Sequence, residues 1–272
     1  MCRLLGYIGS SIPLDDILSK PEHSLIVQSY KPLEMNSGVV NADGFGIGWY
    51  HPEKNTEPFI YKNVIPIWND VNLSSLGRYI ESNCILGYVR SATTGQAVDM
   101  SNCQPFKFEQ LLFIHNGRID NFKQTLMRPI SETLSDVAYK SIKGSTDSEH
   151  FFALFLNEYL KNSDGTLEQA LQSALLKLAE LAKSHRVSAS VNIIISDGKR
   201  LIAARFASGM ECPSLYWTRD DLNYPKSVII ASEPVFKGDW HRFSEQSILS
   251  VGQDLEIEIH QVSTNGQFAP DC

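Results

Sequence analysis

Metal-binding spacing is missing from this 272-residue sequence. Its seven histidines form neither HExxH nor HxxxH, and none of its five cysteines sits in a CxxC pair. A dedicated metal site therefore has no support, and no cofactor is expected. Cationic residues are in the minority, 24 Lys+Arg against 31 Asp+Glu, with no basic block. A nucleic-acid backbone would be repelled overall, so no nucleic-acid partner is expected. No apolar run approaches the ~18 residues of a helical membrane span, which excludes that kind of membrane partner. The first residues, MCRLLGYIGSS, carry one Arg, a short apolar stretch and no cleavage-site pattern, so no signal peptide is expected. Cys2, Cys84, Cys103, Cys212 and Cys272 are scattered and odd in number, which suits a reducing, cytoplasmic setting better than a disulfide framework. With 43% hydrophobic residues the chain is too apolar to be disordered. It shows no repeat, linker or low-complexity stretch, so one domain over 1–272 is expected.

What is present divides by texture. Up to about residue 120 short apolar runs alternate with Gly, Asn, Asp or Pro: RLLGYIG, FGIGWY, PFIYK, CILGYVR and QLLFIHNG. Such punctuation predicts strands. Between about 120 and 185, SEHFFALFLNEYL and TLEQALQSALLKLAELAKS repeat apolar residues every three or four positions, as helices do, and Thr166 with Gln169 reads as a capping box. Strands return in VSASVNIIISDGKRLIAARF, a hairpin turning at Ser196-Asp197-Gly198, and in SVIIASEP and DLEIEIHQV. Strands, then helices, then strands is the order of an α+β protein rather than a doubly wound one. Two antiparallel sheets packed together and covered by helices fit it.

Several segments can carry chemistry, each with a plainer alternative. Cys2 follows Met1 directly, and Cys is small enough for Met1 to be removed. One residue would then hold both a thiol, of pKa roughly 8.5, and an α-amine, of pKa roughly 7.7–8.0, able to take the thiol proton. A cysteine at position 2 is also a chance event. Arg90, ending the apolar run Gly87-Tyr88-Val89, presents a fork suited to a carboxylate or makes an ordinary ion pair. Asn116-Gly117, after Phe113-Ile114-His115, is either the commonest hairpin turn or a two-donor oxyanion hole. Thr146 and Asp147, in Gly144-Ser145-Thr146-Asp147-Ser148-Glu149, are N-cap candidates, and Asp147 is alternatively a partner for an ammonium group. Asn41-Ala42-Asp43-Gly44 is a turn or a wall of the site.

Taken in order, MCRLLGYIG, NADGFGIGWY, GYVRSATTG, QPF, FIHNG and STDSE resemble the class II, N-terminal-cysteine glutamine amidotransferase domain of the Ntn-hydrolase superfamily. The resemblance runs on through Ser232-Glu233-Pro234 to the last strand. It implies a four-layer αββα sandwich. It also implies that Cys2 is the nucleophile and its own α-amine the base. Arg90, assisted by Thr93, would bind the α-carboxylate of a γ-glutamyl group and Asp147 its α-ammonium. Asn116, by its side chain, and Gly117, by its backbone N–H, would stabilise the oxyanion. Some family members carry His where Gln104 stands.

Within the family, HSLIVQSY, NADGFGIGWY and VIPIWND look closest to stand-alone γ-glutamyl hydrolases of ergothioneine biosynthesis. The expected reaction is hydrolysis of a γ-glutamyl amide, such as γ-glutamyl-hercynylcysteine sulfoxide, whose leaving amine is larger than ammonia. Two alternatives stand beside it. One is a glutaminase subunit passing ammonia from glutamine to a partner synthase. The other is a non-catalytic glutamine-binding module.

Overall fold

The computed structural model describes residues 1–34, 40–51, 57–93, 95–162 and 165–262. In chain order its elements are β1 (Arg3–Pro13), α1 (Leu14–Leu18), α2 (Leu25–Tyr30), β2 (Phe45–Trp49), β3 (Phe59–Asn63), α3 (Leu73–Tyr79), β4 (Glu81–Val89), β5 (Phe106–Phe108) and β6 (Leu111–Ile119). After these come α4 (Met127–Glu132), α5 (Asp136–Ser141), α6 (Asp147–Lys161), α7 (Leu167–His185), β7 (Ala189–Ser196) and β8 (Leu201–Ser208). The last are β9 (Tyr216–Asp221), β10 (Tyr224–Ala231), β11 (His241–Arg242), β12 (Ser247–Val251) and β13 (Ile257–Gln261). One sheet runs β11-β9-β10-β1-β4-β2-β3 and the other β13-β12-β8-β7-β6-β5. The strand pairings are antiparallel.

The layering follows from alternation along each strand, because successive side chains point to opposite faces. Leu4 and Ile8 of β1, Leu86 and Tyr88 of β4, Leu112 and Ile114 of β6, and Ile194 of β7 meet in one apolar cluster between the sheets. Their neighbours face outward. Leu5, Tyr7, Ile85 and Val89 pack on Ile17, Leu18 and Leu25 of α1 and α2. Phe113, Val191 and Ile193 pack on Phe151, Phe155, Leu171 and Leu175 of α6 and α7. Helices, sheet, sheet, helices is the expected four-layer α+β sandwich. The capping box of Thr166 and Gln169 opens α7 as its sequence predicts, and the turn at 197–200 joins β7 to β8.

Two sequence readings need adjustment. Residues 1–120 also contain α1, α2 and α3, each of seven residues or fewer, too short for their periodicity to stand out between strands. Asn116-Gly117 is not a turn either: β6 continues through it to Ile119, pairing Asn116 with Asn192 and Gly117 with Val191. The long partner strand β7 overrides the local turn preference. Cys272 and Thr94 lie outside the described residues.

Candidate active site

Register brings the predicted residues to one end of the sandwich. In β1 and β4, Arg3 pairs with Val89, so Cys2 lies across from Arg90. Cys2 continues the inward-facing series of Leu4 and Ile8 and packs against the inter-sheet cluster. Its sulfur accepts hydrogen bonds from the Tyr88 hydroxyl at 2.9 Å and the Ser91 N–H at 3.4 Å, and lies 3.6 Å from the Ser91 carbonyl oxygen. Asn116 continues the inward series of Leu112 and Ile114 on the facing sheet. Both polar atoms of its amide are buried without a hydrogen-bond partner among the described residues. Buried amides are almost always satisfied, so an orphaned one at this place points to a ligand group that supplies the bond.

The Gly117 N–H follows from the same alternation. The His115 N–H donates to Gln104 Oε1 and the Ile119 N–H to Asp147 Oδ2, both away from β7. Gly117, midway between them, directs its N–H to that same free side of β6. The missing Cβ serves packing rather than substrate approach: it would lie 2.0 Å from the Ser190 carbonyl oxygen and 2.7 Å from His115 Nε2, on the helix side. Gln104 clamps β6 by accepting from the His115 N–H and donating to the His115 carbonyl oxygen.

Arg90 is buried, 2% exposed. Its Nη2 donates to the Ala97 carbonyl oxygen at 3.1 Å, while Nη1 is buried and unpartnered among the described residues. That leaves one edge of the guanidinium for an incoming carboxylate. The Asn41–Gly44 segment is a wall of this loop as well as a turn. Asp43 Oδ2 accepts from the Ala92 N–H at 2.8 Å, and Arg90 exchanges backbone hydrogen bonds with Asp43 and Gly44. Asp147 is the first residue of α6 behind the N-cap Thr146. Its carboxylate already accepts from the Ile119 and Ser148 N–H groups. It still lines a cavity of about 560 Å³, together with Thr93, Gln96, Arg118 and Asn121. Thr93 and Asp147 thus line one cavity with Gln96, whose side-chain oxygen lies 3.5 Å from Arg90 Nη2; Cys2 is across from Arg90 on one sheet, and Asn116 is on the inner face of the other.

Three residues around Cys2 were given no role from sequence: Tyr88, Arg3 and Glu233. Arg3 Nη1 donates to the Cys2 carbonyl oxygen at 3.0 Å, and its Nε lies 3.0 Å from Glu233 Oε1. Glu233 also accepts from His23 and from the Leu33 and Glu34 N–H groups. Burial pushes its pKa up, but these hydrogen bonds and Arg3 outweigh that and hold it below the usual glutamate range. The aromatic side chains of Trp68, Tyr30 and Trp240 lie in another part of the fold. Trp68 meets Tyr30 edge-on and lines a separate 230 Å³ cavity with Leu18, Ile26 and Leu73, and Trp240 packs on Phe236. Among the described residues no cluster of His, Cys, Asp and Glu forms a metal site, and no helix is long and apolar enough to cross a membrane.

The family model of class-II glutamine amidotransferases matches residues 1–213. The chain belongs to that family of enzymes. It is 31% identical to the "Probable glutamine amidotransferase DUG3" of Saccharomyces cerevisiae, over 96% of this chain and 84% of the relative. It is 30% identical to a "Gamma-glutamyl-hercynylcysteine sulfoxide hydrolase" of Mycolicibacterium smegmatis, over 86% of this chain and 88% of that one. Among solved structures, a glutamine aminotransferase class-II domain protein from Silicibacter pomeroyi superposes with a TM-score of 0.70 at 27% identity, covering 96% of this chain and 100% of the other. The sandwich described above is therefore an amidotransferase fold.

Proposed function

We propose that this amidotransferase is a single-domain, cytoplasmic hydrolase that cleaves a γ-glutamyl amide through a thioester on Cys2. The observation that carries the reading is the placement of the Cys2 sulfur beside Arg90–Ser91 on one sheet, with the unsatisfied Asn116 amide on the inner face of the other. Removal of Met1 would turn the Cys2 nitrogen from an amide into an amine able to take the thiol proton. Arg90 Nη1 and Asp147 grip the charged head of the glutamyl group, with Thr93 assisting, which fixes the side-chain carbonyl over the sulfur. Attack forms the S–C bond, and the oxyanion settles between Asn116 Nδ2 and the Gly117 N–H. Collapse then expels the amine, which leaves with the proton taken from the thiol. Water adds to the thioester, giving its proton to the α-amine, and the C–S bond breaks to release glutamate.

For the substrate, we favour γ-glutamyl-hercynylcysteine sulfoxide, in ergothioneine biosynthesis, a reading supported by the name of the Mycolicibacterium smegmatis relative, whereas the yeast relative's name points to glutamine. The test combines intact mass with a substrate panel. The mature protein is expected to lack Met1. It should hydrolyse γ-glutamyl-cysteine derivatives faster than glutamine, and C2A should abolish turnover while retaining ligand binding. Preference for glutamine with stimulation by a co-purifying synthase would replace this reading with ammonia supply. A retained Met1 with no turnover would replace it with a glutamine-binding module.

A further inference from the structure

Tyr88 is the side chain that touches the nucleophile most closely, yet a tyrosine within the apolar run CILGYVR reads simply as core. It sits on β4 two residues before Arg90 and is 2% exposed. Its ring belongs to the inter-sheet cluster that includes Leu4, Leu86, Leu112 and Ile114, and its hydroxyl reaches the Cys2 sulfur at 2.9 Å. A tyrosine buried in an apolar cluster needs a partner for its hydroxyl. Here that partner is a sulfur, a weak acceptor as a thiol and a strong, charged one as a thiolate.

We propose that Tyr88 stabilises the thiolate of Cys2 by donating its phenolic hydrogen bond to the sulfur. This rests on Cys2 being the nucleophile. The phenol moves no proton of its own. In acylation the thiol proton goes to the base while Tyr88 O–H holds the electron-rich sulfur against the Ser91 N–H. The new S–C bond then weakens the contact, since an acylated sulfur is a poor acceptor. In deacylation the C–S bond breaks, its electron pair returns to sulfur, and Tyr88 O–H receives the departing thiolate. Each half-reaction passes through a state that this donor favours more than the ground state, which is the condition for raising kcat.

The surroundings keep the donor in its protonated form. Burial, first, and the adjacent Cys2 charge push the Tyr88 phenol well above its usual range, with Arg90 opposing. Other charged groups near the sulfur are Arg90, Arg3 and, once Met1 is removed, the α-amine of Cys2 itself. They contribute equally in wild type and in a Phe variant, so a difference between those two proteins isolates the hydroxyl.

The experiment is the pH profile of Cys2 alkylation by iodoacetamide in full-length protein, followed by peptide mass, with steady-state kinetics alongside. In Tyr88→Phe the ring and its packing remain. The alkylation midpoint should rise by about one pH unit, the tenfold change expected for losing one charge-assisted hydrogen bond. Turnover should fall about tenfold in kcat with KM nearly unchanged. An alkylation profile identical to wild type would overturn the proposal. If Tyr88→Phe does not fold by circular dichroism, protein labelled with 3-fluorotyrosine carries the test. Its more acidic phenol is a stronger donor, so the midpoint should move down, and an unmoved midpoint refutes the assignment. Failure of the nucleophile itself reads out separately, as turnover surviving in Cys2→Ala.

Discussion

Replacing Glu233 by Gln removes one charge and almost no volume, and so asks what the Arg3–Glu233 pair is worth. Both side chains are buried, at 0% and 1% exposure. Glu233 forms an ion pair with Arg3 Nε at 3.0 Å and hydrogen bonds with His23 Nε2 at 2.7 Å and the Leu33 and Glu34 N–H groups at 2.8 and 3.0 Å. A Gln can accept on one oxygen only, and its NH₂ would face a donor. The Arg3 guanidinium would be left charged and buried. Breaking a buried pair from one side costs about 3–5 kcal/mol, much of a typical 5–15 kcal/mol stability. For a chain of this size that is a fall of roughly 6–20 °C in melting midpoint. Differential scanning fluorimetry and urea titration would measure it. The double variant R3M/E233Q should recover most of the loss, because removing both polar partners is often near neutral. It should not recover turnover, since the Arg3 bond to the Cys2 carbonyl oxygen goes with it. Acid adds a second readout. With Glu233 depressed in the fold, its stabilisation is complete above the usual glutamate value of about 4.3 and is lost as pH falls through the lower folded value. E233Q should flatten that part of the profile. A midpoint within ~2 °C of wild type, the scale of a neutral surface change, would refute the reasoning.

Asn116→Ala should lower kcat by roughly a hundred- to a thousand-fold with little change in KM. Its melting temperature should hold or rise, because the amide it removes is buried without a partner. Gly117→Ala must push a methyl into the Ser190 carbonyl oxygen. A cost of about 1–3 kcal/mol or more is expected in urea unfolding, with β6 shifted from β7. His115 and His150 are both held below the usual histidine range by burial, with Asp147 opposing. Neutral in the fold, they make stability complete above about pH 6.5 and eroding as pH drops below it. His115→Asn should reduce the slope of unfolding free energy between about pH 6.5 and 5, and an unchanged slope would contradict the assignment.

The fold was legible where a signal is local. Strands announced themselves as apolar runs cut by Gly or Asn, and α7 by the capping pair Thr166 and Gln169. Cys2, Arg90, Thr93, Asn116, Gly117 and Asp147 stood out as an ordered motif set; the register sets Cys2 across from Arg90 and one cavity holds Thr93 and Asp147. What local signals left open shares a cause. Asn116-Gly117 is a turn only if nothing downstream pairs with it, and its partners lie in β7, some 75 residues on. Glu233 meets His23 across 210 positions and Leu33 across 200, and no short window contains such contacts. Tyr88 was hidden by its surroundings, since a tyrosine among Leu and Ile satisfies every rule for a core residue until the atom beside its hydroxyl is known.

If Cys2 is the nucleophile, as proposed above, its place near the start of β1 exposes it to the fraying that affects chain ends generally. The remedy here is position within the sheet. β1 is internal, bordered by β10 on one side and β4 on the other, so the ladder grips both edges almost up to Cys2. Beyond the ladder, Ser232 takes over: its hydroxyl accepts from the Leu4 N–H and its own N–H donates to the Leu4 carbonyl oxygen. Glu233, the next residue, holds Arg3, and Arg3 holds the Cys2 carbonyl oxygen. The sulfur is then fixed from β4 by Tyr88 and Ser91. Each bond in this series is ordinary in strength, but together they order a terminal residue before substrate arrives, which lowers the entropy that must be lost on reaching the transition state. The residues that follow β10, Ser232 and Glu233, thus reach the proposed site, and they lie beyond residue 213, where the family match stops.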